Sequence, residues 1–180
     1  MKPAVIANAI GYQLVWFGAI ASAAMGYRFV GAILGLAFVA LVLRFGGKAR
    51  QDAWLLLPAL LIGFTVDGLW AGLGWIDYHA SWPSSQFAPM WILGIWIAFA
   101  MTLNHSLAFL REHLAFASMV GAIGGPLAYL GAANGFHAIE FTAPLPLVLC
   151  GLGVVWAVMV PILVLLAERH RSPAVHQAVP

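Results

Sequence analysis

Apolar runs close to twenty residues long, separated only by brief polar connections, recur along this chain and decide most of what it can become. A helix needs about 20 apolar residues to cross a hydrocarbon core about 30 Å thick. Six candidate helices fit the runs, at 4–25, 29–44, 53–76, 88–110, 114–132 and 143–167. Together they would consume most of the 180 residues and leave no room for a separate soluble domain. Lipid admits only helices or closed barrels, and these runs exceed the length of a barrel strand. The fold class is therefore all-α, a polytopic bundle of six transmembrane helices, and strands are not expected. Residues 1–171 read as one transmembrane domain and 172–180 as a short polar tail.

Composition agrees with that reading. The chain is 63% hydrophobic, with 8 Lys or Arg and 6 Asp or Glu, far below the charge content of a soluble domain. A disordered chain and a nucleic-acid-binding protein are excluded on the same ground. Basic residues fall on alternate connections: Lys2, then Arg44, Lys48 and Arg50, then Arg111, then Arg169 and Arg171. By the positive-inside rule both termini lie on the cytoplasmic side of a plasma or inner membrane, and only Arg28 departs from the pattern. Asp77, His79, His137 and Glu140 then face outward. Lys2, the first apolar run and Ala21-Ser22-Ala23 imitate a signal peptide, but Asn8 and Gln13 interrupt the run and it is too long for one. Cys150 has no second cysteine to pair with and reads as a space-filling residue inside an apolar run.

Lipid tails are as apolar as leucine, so helix association must come from close packing and buried hydrogen bonds. Small residues mark the expected contact faces: Gly31 and Gly35; Gly63, Asp67, Ala71 and Gly74; Gly121 and Gly125. Gly124-Gly125-Pro126 predicts a kink in span five and Pro161 a bend in span six. Trp54, Trp75, Tyr78 and Trp82 lie near water boundaries, where aromatic rings anchor helices.

Asp67 stands out, since it sits about three residues beyond the centre of span three, where an ionised carboxylate costs about 2.5–3.5 kcal/mol on insertion scales. It should be protonated, paired or facing a wet cavity. At 1.5 Å of rise per residue, Gln13 comes within about 5 Å of its depth and can cap it. Asn8 falls near the level of Asn104, His105 and Ser106 and can bond to His105 or Asn104. His105 shares a helical stripe with Trp91 and Ala98, and a histidine there can serve as a proton donor or acceptor. Asp67 and His105 differ by about 10 Å in depth, room for a substrate or waters between them. The candidate catalytic residues are thus Asp67 and His105, with Asn8, Gln13, Trp70, Trp91, Trp96, Asn104 and Ser106 as the binding walls. The competing reading is that these polar groups only hold helices together. No metal site is assigned, and no haem, phosphate-loop or nucleophile-elbow motif points to a cofactor.

Asn8 with Trp16-Phe17, the mid-span Asp67, the segment from Pro89-Met90-Trp91 through Trp96 and Phe99 to Leu103-Asn104-His105-Ser106-Leu107, and Gly121 to Gly124-Gly125-Pro126 carry a resemblance. Together they resemble a bacterial inner-membrane family catalogued as a domain of unknown function. The resemblance implies a small polytopic protein encoded near cyclopropane-fatty-acid-synthase-like methyltransferases and amine-oxidase-like proteins, hence a link to membrane acyl-chain modification. It supplies no catalytic residues. The expected function is an intramembrane polar cavity that binds, and can modify, a lipid or other apolar small molecule. Membrane lipids are the expected partners, with lipid-modifying enzymes as further candidates. The alternatives are a small proton-coupled transporter and a non-catalytic accessory subunit.

Overall fold

A computed structural model describes residues 2–169, so the polar tail and Arg171 lie outside the described residues. Six α-helices run in chain order: α1 (Pro3–Ala24), α2 (Val30–Phe45), α3 (Ala49–Gly72), α4 (Met90–Ala100), α5 (Leu114–Leu130) and α6 (Leu145–Arg169). Four stretches are long and apolar enough to cross a membrane: Pro3–Ala24, Ala49–Gly72, Leu114–Gly135 and Leu145–Arg169. The other two helices are shorter. With 16 and 11 residues, α2 and α4 rise only about 24 Å and about 17 Å at 1.5 Å per residue.

Contrary to the sequence expectation, the described residues include two short strands, β1 (Ile76–Tyr78) and β2 (Ile139–Phe141). They pair antiparallel with Ile76 opposite Phe141, Asp77 opposite Glu140 and Tyr78 opposite Ile139. The ladder ties the α3–α4 connection to the α5–α6 connection, so it marks the end of the bundle at which these two helical hairpins turn, its hairpin end. The rule against strands concerns lipid-exposed backbone, and this ladder joins connections rather than spans. The opposite, basic end carries the α2–α3 turn and the segment after α4.

Glycines set the closest helix crossings. A Cβ on Gly35 would stand 2.4 Å from the Gly94 carbonyl oxygen, and one on Gly94 would stand 2.2 Å from that of Gly31. The two short helices therefore touch backbone to backbone, as small-residue packing in membranes requires. Gly121 and Gly125 accept Trp156 of α6 in the same way, and Gly63 accepts the ring of Trp96. The α-helix of α5 runs through Pro126, and the irregularity falls just beyond it, in a π turn at Gly131–Gly135. Helical assignment likewise runs through Pro161 in α6. Cys150 is exposed rather than packed inside.

The largest departure from the sequence expectation is α4, which ends at Ala100 instead of continuing to residue 110. Beyond it the chain runs through turns at 101–107 and a 3-10 turn at Ala108–Glu112. A helix end leaves carbonyls unpaired, and buried ones need partners. Here side chains supply them: Thr102 bonds to the Phe99 carbonyl, Asn8 to Met101, Arg111 to Leu103 and Lys48 to Asn104. Two of those donors are cations at a helix C-terminus, where the helix dipole favours positive charge.

Candidate functional site

Asp67 lies five residues before the end of α3, about 8 Å from the hairpin end by helical rise, and not near the middle of its helix. That position brings it within reach of the hairpin. Tyr78 of β1 donates its hydroxyl to Oδ1 at 2.8 Å, Tyr129 of α5 donates to the same oxygen at 2.5 Å, and the Trp96 indole donates to Oδ2 at 2.6 Å. Asp67 is completely buried, so the carboxyl group is an acceptor closed in by three neutral donors. Gly63, one helical turn earlier, leaves the space in which the Trp96 ring lies. Gln13 does not cap Asp67, because the three aromatic donors occupy that role. Tyr78 is correspondingly a buried hydrogen-bond donor and not an interfacial anchor.

A second closed centre lies at the basic end, around Asp52 in the first turn of α3. Asn104 donates its amide to Asp52 Oδ1 at 2.8 Å, and His105 Nε2 lies 2.9 Å from Oδ2. Arg111 bonds to Asn104 Oδ1 at 2.5 Å. Beside it, Asn8 Oδ1 accepts from the Ser106 hydroxyl at 2.7 Å and from the Ser106 backbone N–H at 3.2 Å, while its amide reaches the Met101 carbonyl. The end of α4 explains this convergence. A continuous helix would have turned Asn104, His105 and Ser106 to different faces, whereas the turn directs the first two to Asp52 and the third to Asn8.

Asp67 and His105 therefore belong to separate centres with no partner in common, and they do not share one cavity. The helical stripe linking His105 to Trp91 is absent because the helix stops first. Asn8 bonds to Ser106 rather than to His105 or Asn104. Trp70 stacks on Trp75 at 5.5 Å and packs against Gly151 of α6. Among the described residues no group of three His, Cys, Asp or Glu side chains could hold a metal, and His79 and Glu140 stand 4.0 Å apart.

The open space lies elsewhere. α1 packs on α2 and α4, and α5 packs on α6, but α1 and α5 hardly touch. Between them runs a groove of about 330 Å³, walled by Tyr12, Gln13 and Trp16 of α1 and by Gly121, Gly124 and Ala128 of α5. Phe99 and Trp156 form its floor, and Leu107 and Leu110 close its basic end. A smaller cavity of about 60 Å³ continues it toward the hairpin past Trp91, Trp96 and Tyr129. Trp96 stacks on Trp156 with ring centroids 4.7 Å apart, so the groove floor is continuous with the Asp67 cage. Trp91 and Trp96 thus line the open space, as does Gln13, while Asn8, Asn104, His105 and Ser106 do not.

Sequence reasoning had no signal for Asp52, which reads as an ordinary acidic residue in a helix first turn. Tyr129 and Trp156 carried only a generic one, since a tyrosine or tryptophan inside an apolar run needs a polar partner or a cavity.

The family model described as "Protein of unknown function (DUF2878)" matches residues 5–162 of the chain. No curated protein matches it, and no solved structure does.

Proposed function

The chain belongs to the DUF2878 family, and we propose that it is a multi-pass protein of the bacterial inner membrane that binds an apolar small molecule drawn from the bilayer. The observation that carries this reading is the groove between α1 and α5. Its walls are aromatic and aliphatic side chains and glycines with one amide, Gln13, and no Lys, Arg, His, Asp or Glu lines it. Small-molecule sites are typically apolar clefts of about 300–1,000 Å³ with a few polar groups, and this groove falls in that range. α1 and α5 form its two sides without bridging it, so a ligand can enter sideways from lipid. The termini and the basic end would lie in the cytoplasm by the distribution of Lys and Arg. Separation of Asp67 from His105 favours binding over proton-transfer chemistry, because each is held in its own closed network.

Gly124 gives a clean test. It is exposed, and a Cβ placed on it meets nothing within 4 Å. Gly124→Leu fills the groove without disturbing Gly121 or Gly125, which pack on Trp156. Native mass spectrometry of protein gently released from its own membrane should find a bound apolar molecule on the wild type and lose it on Gly124→Leu. Equal adducts on both, with equal folding, would overturn the reading.

A further inference from the structure

Three residues on one stretch of α1 line the groove and carry hydrogen-bonding groups: the Tyr12 hydroxyl, the Gln13 amide and the Trp16 indole N–H. None forms a hydrogen bond to another described residue. Their neighbours behave differently, since Asn8 one turn earlier has all its amide atoms engaged. Gln13 is the eleventh residue of the 22 in α1, so the unpaired set lies at mid-helix, far from water at either end. Polar groups at that depth are costly unless something completes them.

All three can donate a hydrogen, and the indole can only donate. The missing partner is therefore rich in acceptors. It must also be neutral, since nothing charged lines the groove and a charged headgroup would not sink to mid-bilayer. Tyr12, Trp16, Phe99 and Trp156 present flat rings at this level, with Tyr12 and Phe99 centroids 5.9 Å apart and Phe99 edge-on to Trp156 at 6.0 Å. Toward the basic end the lining turns aliphatic, through Leu107, Leu110, Val120 and Val160. A flat carbonyl-bearing ring on an apolar tail satisfies each of these features, whereas a phospholipid places its polar group at the surface.

Resting on the groove reading above, we infer that the ligand is a neutral membrane-soluble quinone, its ring among the α1 aromatics and a ring carbonyl accepting from Gln13. The binding is non-covalent and involves no transfer of electrons. Decylubiquinone and decylbenzene are suitable probes, because both carry a ring and a ten-carbon tail and only the first carries ring carbonyls. Binding to protein in nanodiscs is read from quenching of tryptophan fluorescence by decylubiquinone, and from competition for decylbenzene. The wild type should prefer decylubiquinone by roughly tenfold, the worth of one buried hydrogen bond. Gln13→Leu should remove that preference and leave decylbenzene unchanged, and Gly124→Leu should lose both probes.

A wild type with no preference, or a preference that survives Gln13→Leu, would overturn the quinone assignment. If Gly124→Leu still binds both probes as the wild type does, the groove reading itself falls. Retention of the native fold by each variant is checked by circular dichroism and by its thermal midpoint in the same nanodiscs. Should Gln13→Leu fail to fold, Gln13→Met, which keeps the length of the side chain and removes the donor amide, makes the same comparison.

Discussion

The Asp67 cage and the small cavity that continues the α1–α5 groove share Trp96 and Tyr129 as walls, yet the cage is closed and the groove open. In the cage, each carboxyl oxygen receives at least one donor, and the donors come from three separate parts of the chain. In the groove, three donors on a single helix stand without partners among the described residues. A polar residue at membrane depth can thus serve either assembly or recognition, and its identity does not decide which. The number of hydrogen-bond partners it already has does. By that criterion Asp67 reads as structural glue, and the less conspicuous Gln13 is the group proposed for recognition.

The contrast is open to attack by mutation. Asp67→Ala should show the largest effect on stability, about 3 kcal/mol, because it strands three buried donors at about 1 kcal/mol or more each. Reversible unfolding in bicelles measures this. Asn104→Ala should cost about 1–2 kcal/mol in the same assay, since it removes a hydrogen bond to buried Asp52 and the acceptor used by Arg111. Asp67→Asn should be milder, at about 1 kcal/mol: both tyrosine hydroxyls can turn to accept from the new amide while its oxygen keeps the Trp96 bond. Equal damage from the Asn and Ala variants would show that charge, and not hydrogen-bond count, holds the cage. Gln13→Leu and Gly124→Leu should change stability least, within about 0.5 kcal/mol, as expected for changes away from packed or bonded positions. A large loss of stability in Gln13→Leu would make Gln13 structural after all and erase the distinction between the two regions.

The helices themselves were legible in the sequence, because length and hydrophobicity act locally. Five of the six observed helices end within about four residues of the apolar-run boundaries, the usual uncertainty for such readings. The glycine contacts were legible too, as Gly31 and Gly35 and Gly121 and Gly125 recur at helical spacing. The end of α4 at Ala100 was not. Thr102, Asn104 and Ser106 look tolerable in a membrane helix until Asn8, Lys48 and Arg111 are known to cap the freed carbonyls from elsewhere. The cage was half legible: Asp67 announced a need for partners, but Tyr129 lies 62 residues away in sequence, and the strand pair that holds Tyr78 joins two distant connections and has no local signature. Gln13 falls at mid-helix, but Asp67 lies near the end of α3, so the two do not share the level that the run boundaries suggest, and depth along a helix says nothing about which face points where. Helix direction and face are settled only by packing, and here packing turned Gln13 toward α5 and away from α3.

The groove can be compared directly with ordinary lipid-facing surface. A diazirine-bearing amino acid in place of Val120 lies on the groove wall, while the same residue in place of Val154 lies on the exposed face of α6. Illumination in native membranes, followed by intact-mass analysis, reads what each position touches. A groove that selects its occupant should give one discrete adduct at position 120 and a spread of phospholipid adducts at position 154. The same phospholipid spread at both positions would contradict the account, leaving the space between α1 and α5 as bulk lipid contact.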